Sequence, residues 1–217
     1  MNILIVGANG QIARHLIKKL SQTEHIVTAM LRSEEQMGDI KELGAAKTVL
    51  GDLEGNIAHA FAGIDTVVFT AGSGGHTGAD KTMLIDLWGA IKTIDEAERQ
   101  NIKRFIMVSA KNTDNPEDGP YSMRHYYIAK KLADDHLRRS KLNYTIIRPG
   151  RLVNEPETGQ VLIQEKITES NENSITREDV AGVIVKALSR EDLQGKTFEL
   201  LNGSDSIRSA LDQFVRD

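Results

Sequence analysis

The sequence predicts a doubly wound α/β fold: one parallel sheet with helices on both faces, built as a single domain over residues 1–217. Three observations carry this. Short apolar runs alternate with amphipathic segments, the first run bends into the first helix through glycines, and no linker, low-complexity stretch or repeat interrupts the chain. The 217 residues suit one domain and suffice for a sizeable core.

The first strand is Asn2-Ile3-Leu4-Ile5-Val6, followed directly by Gly7-Ala8-Asn9-Gly10-Gln11-Ile12-Ala13. Ile12, Leu16, Ile17 and Leu20 then recur at helical spacing. Residues 25–31 form the second apolar run and 47–50 the third, which ends at Gly51-Asp52-Leu53. A short helix over 57–61 precedes a fourth strand, 65–70, that stops at Ala71-Gly72-Ser73. Leu87, Ala90, Ile91, Ile94 and Ala97 mark one face of a long helix, in which Trp88 reads as a packing residue. A fifth strand covers 104–109, a loop rich in Asn, Asp, Pro and Gly covers 111–121, and 126–137 is helical. The sixth strand, 144–147, runs into Arg148-Pro149-Gly150. Residues 1–150 therefore read as the main unit and 151–217 as a small C-terminal part, with strands at 161–163 and 197–201. Between those strands Thr176-x-x-Asp179 reads as a helix-opening cap.

The glycine bend is the first chemical clue. A side chain there would block close approach of the backbone to a phosphate. The free N–H groups and positive dipole end of the following helix attract one. In dinucleotide-binding units the tip of the second strand, about 20 residues further on, meets the adenosine ribose. Here that tip is Arg32-Ser33, with no Asp or Glu at the strand end to accept from a ribose 2′-hydroxyl. An Arg offers a fork of donors matched to a 2′-phosphate, which favours NADP(H), with NAD(H) as the alternative.

Composition narrows the partners. A net charge of −4, with both signs interspersed, offers no basic stripe for nucleic acid or an anionic membrane. Without cysteine there is no disulfide, thiolate metal site or Cys nucleophile. His59, His76, His125 and His136 lack metal-ligand spacing, so no metal is expected; His76 reads as a loop residue at a substrate mouth or in solvent. No apolar run reaches the roughly 20 residues of a membrane span, and the bend begins too close to Met1 to leave room for a leader. A cytoplasmic protein with a small-molecule substrate is expected.

The motifs Gly7-x-x-Gly10-x-x-Ala13, Gly51-Asp52-Leu53, Ala71-Gly72, Phe105-x-x-Val108-Ser109, Tyr126-x-x-x-Lys130 and Arg148-Pro149-Gly150 run through most of the chain. Their order resembles the short-chain dehydrogenase/reductase superfamily, in its small atypical branch of NAD(P)-binding Rossmann proteins. That branch includes flavin/biliverdin-type reductases, NmrA-like proteins and epimerase/dehydratase relatives. The resemblance implies that Gly7, Asn9, Gly10, Gln11 and Ile12 form the pyrophosphate loop, and that Arg32 and Ser33 hold the 2′-phosphate. It implies Asp52 and Leu53 at the adenine, and Ala71, Gly72 and Ser73 beside the adjoining ribose. Val108, Pro149 and Gly150 would flank the nicotinamide, and the part after 150 would lie on the substrate side.

For catalysis the resemblance implies a Tyr hydroxyl that exchanges a proton with substrate. A Lys one helical turn away would favour the tyrosinate and bind the nicotinamide ribose. Tyr126–Lys130 and Tyr127–Lys131 both fit, and Ala129 before Lys130 favours the first. A Ser normally polarises the carbonyl from the second position of a Ser-Ser pair; here Ser109 matches the first position and Ala110 occupies the second. Thr113 and Ser122 are nearby substitutes. Two functions follow: an NADP(H)-dependent oxidoreductase for a small carbonyl, quinone or flavin-like acceptor, or a dinucleotide-binding sensor without turnover. A nucleotide-sugar epimerase or dehydratase is a third reading, for which the 67 residues after Gly150 make a short substrate lobe.

Overall fold

The computed structural model describes residues 1–75, 77–170 and 173–216. Strands β1 (Asn2–Val6), β2 (Ile26–Leu31), β3 (Lys47–Leu50), β4 (Thr66–Phe69), β5 (Arg104–Val108) and β6 (Tyr144–Pro149) lie where the apolar runs place them. After β7 (Arg151–Val153) come β8 (Gln160–Gln164), β9 (Ser174–Thr176), β10 (Lys196–Asn202) and β11 (Asp205–Ser206). Nine strands join in the order β11-β8-β10-β6-β5-β4-β1-β2-β3, and β7 pairs with β9 apart from them. From β3 to β10 neighbouring strands are parallel; β8 against β10 and β11 against β8 are antiparallel. The sheet is thus mostly parallel, with an antiparallel edge formed by β8 and β11.

Alternation along each strand sends successive side chains to opposite faces. Ile3 and Ile5 enter the core layer shared with helices α1 (Gln11–Leu20), α6 (Arg177–Ala187) and α7 (Ile207–Arg216). Leu4 and Val6 enter the other layer, with Phe105, Met107 and Ala129. There the sheet is covered by helix α4 (Ala90–Arg99) and helix α5 (Arg124–Arg139). Helix α2 (Met37–Glu42), with Ile40 buried, follows β2. Each fully buried Leu or Ile of these layers contributes roughly 1.5–3 kcal/mol relative to exposure. Residues after 150 supply β10 to the same sheet and α6 to the face of α1. Thr176 does cap α6, its hydroxyl accepting from the Asp179 N–H at 2.9 Å.

The long helix departs from its expected form. It opens as α3 (Ala79–Lys81), widens into a π-helical stretch over Thr82–Gly89, and narrows into α4. Leu87, Ala90, Ile94 and Ala97 are buried as the periodicity predicts. Trp88, expected to pack, is 52% exposed, whereas the polar Asp86 is buried. A widened turn rotates the residues within it relative to an ideal α-helix, which is why a 3.6-residue reading misplaces Trp88.

Candidate functional site

Strand order reverses direction between β1 and β4, and in sheets of this kind ligands bind outside the carboxyl ends of strands at such a point. A cavity of about 360 Å³ opens there. Gly7, Asn9, Gly10, Arg32, Asp52 and Leu53 line it, as do Ala71, Gly72 and Ser73. The motifs written along the sequence therefore meet in space. Gly7 has φ +83°, and a Cβ on it would lie 2.6 Å from the Ala71 Cα, so the turn itself requires glycine. Gly10 differs: a Cβ there would meet only the Gly7 carbonyl oxygen, at 3.2 Å, and would project over the helix start.

The start of α1 suits an anion. Gly10 is its N-cap, no side chain caps the first turn, and no acidic residue lies in that turn. Asn9 keeps its carbonyl occupied by accepting from Arg14 Nη1 at 3.0 Å. Gln11 is exposed, while the Ile12 side chain is buried in the core, which leaves its backbone N–H as its only polar contribution. At the tip of β2, Arg32 is exposed and has no hydrogen bond or ion pair among the described residues. Ser33 lies outside the cavity lining, its hydroxyl donating to Glu35 Oε2 at 3.0 Å. Asp52 holds its own turn, Oδ1 accepting from the Glu54 N–H at 2.9 Å, and leaves its second oxygen free for a donor. Gln36, Glu54, Thr77 and Lys81 also line the cavity, and no motif in the sequence named them. Lys81 and Glu54 pair at 2.6 Å on the exposed rim, where solvent screens the attraction.

The inner end is organised differently. Lys130 is 2% exposed and donates to the Val108 carbonyl at 2.9 Å. Lys131 faces outward to Asp135, so Tyr126–Lys130 is the register that points at the sheet. Tyr126 is half-buried; burial first, then the negative charge of Asp86 and the neighbouring Tyr127 and Asp134, pushes its phenol well above the usual range. Ser109 is buried and its hydroxyl faces Asp134, without a well-formed hydrogen bond. Thr113 is also buried and approaches Asp134 Oδ2 at 3.5 Å, while Ser122 is exposed. Asp134 is fully buried against Arg148, whose Nε donates to it at 2.9 Å and whose Nη1 reaches Asp114 at 2.8 Å. Ala110 is buried and brings no donor.

Pro149 and Gly150 serve the fold visibly. The Pro149 carbonyl accepts from the Lys111 N–H at 2.9 Å. A Cβ on Gly150 would lie 2.7 Å from the Asn173 carbonyl oxygen. Neither residue lines the cavity. His76 lies outside the described residues. His59 sits 2.6 Å from the Leu50 carbonyl and His136 pairs with Asp95 at 2.7 Å. Among the described residues no helix is long and apolar enough to cross a membrane.

A parallel sheet with an open helix start at its switch point defines a nucleotide-binding Rossmann protein. The chain belongs to the NAD(P)H-binding family whose model matches residues 7–191. A solved structure from Bacillus halodurans, titled an NAD-dependent epimerase/dehydratase, is 54% identical with a TM-score of 0.96, covering 98% of this chain and 99% of that one. The oxidoreductase ylbE from Lactococcus lactis is 33% identical with a TM-score of 0.88, covering 100% and 98%. YhfK of Bacillus subtilis (strain 168), named an uncharacterised sugar epimerase, is 43% identical over 215 residues, 97% of this chain and 99% of that one.

Proposed function

We propose that the protein is an NADP(H)-dependent reductase of a planar acceptor, a flavin- or quinone-like ring, in preference to a simple carbonyl. The observation that carries this is the direction taken by the hydroxyls near Tyr126. Ser109 and Thr113 turn to Asp134, and Ala110 has none. A carbonyl would thus meet Tyr126 as its single side-chain donor, whereas a ring stacked on the nicotinamide needs no second donor to receive hydride. The name of the Lactococcus relative, an oxidoreductase, agrees with redox chemistry.

The residues fit a dinucleotide. Gly10 leaves room over the helix start, the uncapped first turn offers N–H groups to a pyrophosphate, and the unpaired Arg32 suits a 2′-phosphate. When bound, NADPH supplies the hydride. Tyr126, held protonated, supplies the proton that completes a two-electron reduction. Lys130 fixes the end of β5 through Val108 and places a buried positive charge one helical turn from Tyr126.

The test is to follow NADPH oxidation by purified protein over a panel of flavins, quinones, aldehydes and ketones. Turnover with rings and little with simple carbonyls is expected. Turnover with aldehydes alone would contradict the acceptor class. The self-contained polar cluster around Asp134 favours one second reading, a dinucleotide-binding sensor; tight NADPH binding without turnover of any acceptor would select it.

A further inference from the structure

The π-helical stretch Thr82–Gly89 holds a buried carboxylate that no motif singles out. Asp86 is 1% exposed. Its Oδ2 accepts from the Ser73 N–H at 2.9 Å, and a Cβ built on Gly72 would lie 3.1 Å from its Oδ1. The loop that leaves β4 along the inner wall of the cavity is thus tied to the helix at this one carboxylate, with a longer contact between Ser73 Oγ and Thr82 Oγ1 at 3.4 Å. The same stretch packs along α5, which carries Tyr126. π-Helical turns inside α-helices are rare and concentrate at functional sites.

On the reading that the cavity holds NADP(H), we infer that Asp86 is a positioning residue: from the helix it fixes the Gly72–Ser73 peptide beside the cofactor.

Asp86→Asn and Asp86→Ala test this, with circular dichroism showing that each variant folds. An Asn keeps an oxygen for the Ser73 N–H; an Ala loses it. In calorimetric titration Asp86→Ala should weaken NADPH about tenfold, and Asp86→Asn less than about threefold. Without any nucleotide, the Ser73 amide should exchange its hydrogen faster in Asp86→Ala than in the unaltered protein. Unchanged NADPH affinity in Asp86→Ala, or an equal loss in Asp86→Asn, overturns the inference. If the unaltered protein binds no dinucleotide, the cofactor reading fails alone, because hydrogen exchange at Ser73 still decides whether Asp86 holds the loop.

Discussion

At the outer end of the cavity, polar groups are left open. Among the described residues Arg32 has no partner, the first turn of α1 has no side-chain cap, and Asp52 uses one oxygen on its own turn. At the inner end polar groups turn to one another: Lys130 to Val108, Thr113 to Asp134, Arg148 to Asp134 and Asp114, although Ser109 Oγ and Asp134 Oδ1 stay without a hydrogen bond among the described residues. An unpaired group in solvent costs little and waits for a ligand, whereas a buried one must find a protein partner. The contrast teaches that the outer end is a binding surface kept in reserve. The inner end is part of the core, and the half-buried Tyr126 is the group proposed there for chemistry.

Five substitutions sharpen or break that contrast. Gly10→Val should abolish dinucleotide binding while the chain still folds, since the added side chain meets little protein but fills the phosphate approach. Gly7→Val should instead impair folding, because of its positive φ and the Ala71 backbone. Circular dichroism with calorimetric titration distinguishes them; a Gly10→Val protein that binds as before would remove the glycine loop from the account. Tyr126→Phe should lower turnover by roughly 10²–10⁴-fold, with NADPH affinity nearly unchanged. An unchanged rate would leave the inner end with no chemical role.

Smaller effects test the packing and the selectivity. Arg148→Met strands the fully buried Asp134 and should cost about 3–5 kcal/mol in urea unfolding. A loss under about 1 kcal/mol would show that the inner cluster is not held together as described. Arg32→Ala should weaken NADPH by about ten- to a hundredfold while leaving NADH nearly unaffected, since one charge-assisted contact to the 2′-phosphate is lost. An equal effect on both cofactors would assign Arg32 to the adenine or to solvent.

The outer end was the more legible in the sequence. Glycine, strand tip and turn motifs act through backbone geometry, which is local, so Gly7, Gly10, Arg32, Asp52 and Gly72 could be read singly and were found lining one cavity. The inner end depends on what crosses between elements. That Ser109 and Thr113 face Asp134, and that Asp134 pairs with Arg148, follows from the packing of α5 on β5 and β6, which no spacing encodes. Trp88 missed its expected place because the π-helical stretch shifts register within an otherwise regular helix. The late helix α7 went unread although its apolar face is regular, as it follows the weakly patterned segment after residue 150.

The central claim is that the open outer end is a cofactor site for NADP(H). Calorimetric titration of the purified protein with NADPH and NADH tests it most directly. The account predicts saturable one-to-one binding of NADPH, tighter than NADH, with the preference erased in Arg32→Ala. A folded protein that binds neither nucleotide, or binds both equally before any substitution, would contradict it.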